Sequence, residues 1–111
     1  MAINIVGMPN LVLSTETTVL SGTIEGFDDA YAVSIQAPGT LNSTVVTVQV
    51  SVTTSAAAAT YSNLQSGGTD VTLSASKALV ISPCPFRMLQ LSGSSTEAAA
   101  RTFSVAKIVL I

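Results

Sequence analysis

Residues 44–53 read Thr-Val-Val-Thr-Val-Gln-Val-Ser-Val-Thr, and no other segment constrains the fold as strongly. Val46, Val48, Val50 and Val52 fall on one side of an extended chain; Val45, Thr47, Gln49, Ser51 and Thr53 fall on the other. A period of two marks a strand with one buried face and one wetter face. β-Branched residues on both faces suit a pleated sheet and lose side-chain freedom in a helix. Strands are therefore the expected building blocks.

Other segments repeat the pattern. Residues 17–25 place Leu20 and Ile24 on one side, with Val19, Ser21 and Thr23 on the other. Residues 30–37 group Tyr31, Val33 and Ile35, and Pro38-Gly39 supplies a turn. Short strands over 61–65 and 69–74 are joined through Ser66-Gly67-Gly68, a hairpin signal. Strands over 78–82 and 86–92 flank Pro83-Cys84-Pro85, where two residues without an N–H predict a crossing between sheets. A long strand over 101–111 sets Phe103 and Val105 against Ser104 and Ala106. The alanine clusters 56–59 and 98–100 have room for single helical turns. About eight strands with regular turn signals predict an all-β antiparallel sandwich, with the jelly roll as one form of it.

Residues 1–14 are apolar, uncharged and punctuated by Gly7 and Pro9. They read either as the first strand or as an arm docking on a neighbour, ahead of a β-sandwich domain over 15–111. Their apolar residues Ile3, Ile5, Val6, Leu11 and Leu13 are the candidate contacts for a capsid or a second subunit. The opening residues lack a basic residue and Pro9 interrupts the apolar run, so no secretory signal is expected. Mean hydropathy is +0.60, yet no stretch reads as a spanning helix, and no membrane partner is expected.

Charge then limits the chemistry. Charged residues make up 9% of the chain, against about 25% in an ordinary domain. Four basic residues and a net charge of -2 argue against tracking nucleic-acid phosphates. The chain contains no histidine, which removes the commonest general base and metal ligand. With no base to activate a serine or threonine, no catalytic residues, metal or cofactor are expected. Glu25, Asp28 and Asp29 cluster around Gly26, either as a calcium loop or as a solvated acidic turn. The single cysteine, Cys84, cannot pair within the chain and reads as an inert thiol of a reducing compartment. Phe86 and Phe103 read as core, while Tyr31 and Tyr61 are the candidate platform for a sugar ring. Asn42-Ser43-Thr44 matches the glycosylation acceptor pattern, a weak signal without a secretory leader. A weakly charged β surface invites association, and a symmetric homo-oligomer is the natural way to cover it.

The C-terminal two-thirds carries a resemblance. It reads Val48-Gln49-Val50-Ser51, then Tyr61-x-x-Leu64-x-x-Gly67-Gly68-x-x-Val71-x-Leu73. It continues through Pro83 and Phe86-Arg87-x-Leu89-x-Leu91-x-x-Ser94 to Arg101-Thr102-Phe103-x-Val105-x-Lys107. This order resembles that of small β-sandwich virion proteins of tailed bacteriophages, in particular capsid decoration or cement proteins and related fibre modules. The likeness spans 44–107; Thr53-Thr54-Ser55 and an alanine tract stand where the resembling proteins carry an Asp-Gly turn. It implies a structural protein made in the host cytoplasm and bound, as a trimer, to the major capsid protein on the outside of the head. A tail, adaptor or fibre module with host-glycan binding is the alternative it implies. Arg87 and Arg101 lie in the resembling segments, as salt-bridge partners or as capsid contacts.

Overall fold

The computed structural model describes residues 2–15, 19–53 and 59–111. Its elements, in chain order, are β1 (Ile3–Leu13), β2 (Ile24–Glu25), β3 (Ala32–Gln36) and β4 (Val46–Ser51). There follow β5 (Ser62–Asn63), β6 (Gln65–Ser66), β7 (Thr69–Asp70), β8 (Thr72–Leu73), β9 (Ala78–Ile81), β10 (Met88–Gly93) and β11 (Arg101–Leu110). One sheet, A, has the order β1-β11-β3-β9; the other, B, has β2-β10-β4-β5, with β8 also paired to β4. Every pairing is antiparallel. The fold is all-β, as the alternation predicts.

The pairing is nested. β4 meets β5 and β8, β3 meets β9, β2 meets β10, and β1 meets β11. Rolling that long hairpin adds the contacts of β11 with β3 and of β10 with β4. This is the strand order of a jelly roll, with two four-stranded sheets back to back. The count exceeds eight because the strand opposite β4 is interrupted. Ser62-Asn63 and Thr72-Leu73 both lie along β4, and the chain between them leaves as the β6–β7 hairpin. Val48 holds the break closed: its carbonyl accepts from the Leu64 N–H and its N–H donates to the Val71 carbonyl. Gly67 and Gly68 turn the hairpin with φ of 62° and 82°, the two left-handed positions of a type I′ turn.

The inner faces of both sheets meet in one core. Val46, Val48, Leu89 and Leu91 come from sheet B, and Leu11, Val33, Ile35 and Phe103 from sheet A. Phe27 and Phe86 close one end edge-to-face, with ring centres 5.6 Å apart. Pro83-Cys84-Pro85 carries the chain from β9 in sheet A to β10 in sheet B, as the paired prolines predict.

β1 is a strand rather than a free arm. It pairs with β11 from Ile3↔Leu110 to Leu13↔Arg101, with one extra residue between Met8 and Leu11. Pro9 sits in that bulge on an edge strand, where a missing N–H does least harm. The bulge also flips the alternation, so Met8 and then Leu11 and Leu13 face the core, while Ile3 and Ile5 face outward.

Several sequence expectations are corrected. Val52 is exposed and Ser51 is buried, because β4 ends at Ser51, whose hydroxyl bonds Thr53 and turns the chain. Within 17–25 only a bridge at Leu20 and the two residues of β2 join the sheet; residues 16–18 lie outside the described ones. Leu20 is exposed and Ser21 buried, since the Ser21 hydroxyl accepts the Leu91 N–H and donates to the Gly22 carbonyl. Tyr31 precedes β3 and stands half-exposed, apart from Val33 and Ile35. Residues 98–100 form no helical turn; of 56–59, only Ala59 is described, as irregular chain.

Gly93 gives a sharp test of this packing. It lies opposite Val46 on the core side of β10, and an added Cβ would come within 2.7 Å of the Ser43 Oγ. Gly93→Ala is expected to cost about 1–3 kcal/mol, as over-packing does. Urea titration of the two proteins checks it.

Candidate functional site

Sheet A has an outer face without charge. The pairing register puts Ile3, Ile5 and Gly7 of β1 on it, beside Leu110, Ile108 and Ala106 of β11. Ala32, Ser34 and Gln36 of β3 continue it, and Val80 and Ala78 of β9 complete it. None of these side chains ionises. Ile3 is 60% exposed, Ile5 68% and Val80 62%. Apolar surface of this kind, gathered at one end of a sheet, is what an association surface offers. The face ends at β1, whose outer edge pairs with no described strand. No Lys, Arg, Asp or Glu guards this eleven-residue edge against strand pairing, and the Pro9 bulge interrupts it only beyond Met8, leaving residues 3–8 as regular edge.

The five candidate contacts therefore separate. Leu11 and Leu13 are 1% and 2% exposed and fill this chain's own core, so they have no surface to give a partner. That corrects the sequence expectation. Ile3 and Ile5 stand on the open face, and Val6 is half-buried on the opposite side of β1, across from Lys107. Sequence reasoning did not single out Ile108 and Leu110. Continuing the 101–111 alternation past Ala106 would have placed both on that face.

The acidic loop is a clasp. Asp28 accepts from the Arg87 guanidinium at 3.1 Å, just before β10, and Asp29 from the Lys107 ammonium at 2.7 Å, in β11. The hydrogen bond from Lys107 holds the Asp29 carboxyl below its ordinary value. Two of the three clustered carboxylates are thus committed to cations, one on the loop leading into β10 and one within β11. Among the described residues, no group of three or more acidic, cysteine or histidine side chains is placed to hold a metal ion. No helix among them is long and apolar enough to cross a membrane.

The chain matches no protein-family model and no curated protein.

Burial pushes the Cys84 thiol up, and it donates to the Phe86 carbonyl at 3.4 Å, which suits an unreactive sulfur. A cleft of about 320 Å³ lies between β9 and the β6–β7 hairpin, walled by Leu64, Val71, Leu79, Ile81, Pro83 and Pro85. No titratable side chain lines it. Arg101 pairs with Glu97, a carboxylate that sequence reasoning passed over although it is 2% exposed. Glu97 also accepts the Asn42 N–H, the Ser43 N–H and the Ser43 hydroxyl at 2.7–2.8 Å. Asn42, the candidate glycosylation acceptor, has its side-chain oxygen occupied by the Ala98 N–H and by Arg101.

Proposed function

We propose that this chain is a capsid decoration (cement) protein, a structural component that binds the outside of a phage head as a homo-trimer and stabilises it. The observation that carries the reading is the uncharged outer face of sheet A, running into the open edge of β1. The resemblance over 44–107 supplies the virion setting. Its partners are other copies of itself and the major capsid protein. The mechanism is mass action: a subunit that binds only the assembled lattice stabilises that lattice against rupture. Individually weak contacts suffice, because a multimer engages several sites at once. The protein acts by binding and carries out no reaction.

Solution mass is the first test. Light scattering behind a sizing column is expected to give a discrete trimer. Ile3→Lys combined with Ile5→Lys is expected to lower the mass roughly threefold, by placing like charges at the association face. The variant should still melt in one cooperative transition, since both side chains are exposed in the subunit, though at a lower temperature because association no longer stabilises it. A parent protein that runs as a clean monomer would reject the self-association. Heat resistance of bare capsids with and without added protein then tests the cement role.

A tail, adaptor or fibre module is the second reading, favoured by the outer side of sheet B, where the register pairs Gln90 with Gln49 and Ser92 with Thr47. Copy number separates the two, because cement coats the head whereas a tail module is present in few copies.

A further inference from the structure

Sheet B presents a different outer face. Gln90 of β10 donates from Nε2 to the Oε1 of Gln49 in β4 at 2.6 Å, and Gln49 donates to the Oδ1 of Asn63 in β5 at 3.0 Å. Asn63 donates to one oxygen of Asp70 in β7 at 3.1 Å, and Gln65 of β6 donates to the other at 2.9 Å. Four amides and one carboxylate form a single chain of hydrogen bonds, polarised toward Asp70. It begins at a nearly buried residue, Gln90, and ends on exposed ones.

From this ladder we infer that the outer face of sheet B is a binding site for a neutral saccharide. Each amide carries two N–H donors and an oxygen with two lone pairs. Within the ladder each amide donates one N–H, and among the described residues the second N–H of Gln49, Asn63 and Gln65 meets no acceptor, so it can serve a ligand. Donors and acceptors alternating along a fixed line suit a row of hydroxyls, each of which donates and accepts. Because the amides already hold one another, little side-chain freedom is lost when a ligand arrives. Gln90 is buried and anchors the ladder; its accessible part runs from Gln49 across one strand spacing of about 4.8 Å to Asn63 and on to Asp70 and Gln65 in the β6–β7 hairpin. That is the scale of a short oligosaccharide. Asp70 and the net charge of -2 disfavour acidic sugars. Thr47 and Thr72, paired across β4 and β8, border the ladder with further hydroxyls.

The inference does not rest on self-association, which uses the other sheet. The probes are maltotriose, mannotriose, cellotriose and chitotriose, each titrated into the full chain. The side-chain amide NMR signals of Gln49, Asn63, Gln65 and Gln90 report binding. At least one trisaccharide is expected to shift these signals saturably in the millimolar range. Asn63→Ala and Gln65→Ala, both at exposed positions, are each expected to weaken that binding about tenfold, the loss of one well-placed hydrogen bond. Ser34→Ala, on the outer face of sheet A, should leave it unchanged. Absence of a saturable shift with all four sugars would overturn the assignment. So would shifts that persist at parent strength in both ladder variants.

Discussion

A chain that begins at residue 15 is expected not to fold. Removing residues 1–14 takes away β1, and with it Leu11 and Leu13, each almost wholly buried. Truncating one buried leucine costs about 2–5 kcal/mol. Two such losses are comparable with the whole stability of a small domain, about 5–15 kcal/mol. The deletion also strips β11 of one of its two partners, leaving only the pairing with β3, and bares Phe103 and Val105 from one side. Circular dichroism should show no cooperative melting transition, and the protein should be largely insoluble. A chain that begins at Gly7 loses Ile3, Ile5 and Val6 from β1 but keeps both leucines. It is expected to melt cooperatively. Cooperative melting of the longer deletion would show that the core does not depend on β1. Loss of capsid occupancy on deleting all fourteen residues would accordingly report unfolding; Ile3→Lys with Ile5→Lys separates docking from folding.

The strands were legible because their signals are local. The alternation of Val46, Val48 and Val50, the Gly67-Gly68 turn and the prolines around Cys84 each act within a few residues, and each appears in the structure where it was expected. Failures occurred where the ladder is interrupted. Ser21 and Ser51 are buried by hydrogen bonds that a pattern of hydropathy does not register, and Leu20 and Val52 are exposed for the same reason. The bulge at Pro9 reverses the facing of β1, so five apolar residues that look alike in sequence divide between core and surface.

Long-range polar contacts were illegible for a different reason. Asp28 meets Arg87 across 59 positions, and Glu97 meets Ser43 across 54. Both contacts fasten loops that cross between the sheets: β2 to β3 and β9 to β10 in the first case, β3 to β4 and β10 to β11 in the second. A rolled hairpin brings such loops together in pairs, so the partner of a loop residue is set by topology. The amide ladder follows the same rule, since Gln49 and Gln90 are opposite one another only in the β4–β10 register.

Glu97 carries the largest expected effect of any single polar residue. Its side chain joins three donors on the β3–β4 loop to Arg101 at the start of β11, and the Ser43 hydroxyl oxygen accepts from the Ser95 N–H. Glu97→Ala would strand the buried Ser43 N–H and the half-buried Arg101 guanidinium. Losing one member of a buried pair costs about 3–5 kcal/mol, and this shallow site belongs at the lower end, near 3 kcal/mol. Glu97→Gln keeps the volume but removes the charge and turns an amide NH2 toward donors, so it should recover only part of the loss. The dependence on acid follows from the carboxyl's surroundings. Burial pushes its pKa up, but the hydrogen bonds from Asn42, Ser43 and Arg101 outweigh burial and hold it below the free value. The unfolded chain therefore binds the proton more readily. The stabilisation is complete above the unfolded pKa of about 4.3 and is lost as pH falls through the lower folded value. Asp29, lowered by Lys107, adds acid sensitivity in the same direction, so the parent protein alone does not isolate Glu97. The difference in urea stability between parent and Glu97→Gln does. That difference is expected to be constant from neutral pH down to about 5 and to shrink progressively below it. A difference that stayed constant to about pH 2 would mean that charge on Glu97 contributes nothing to holding the two loops together.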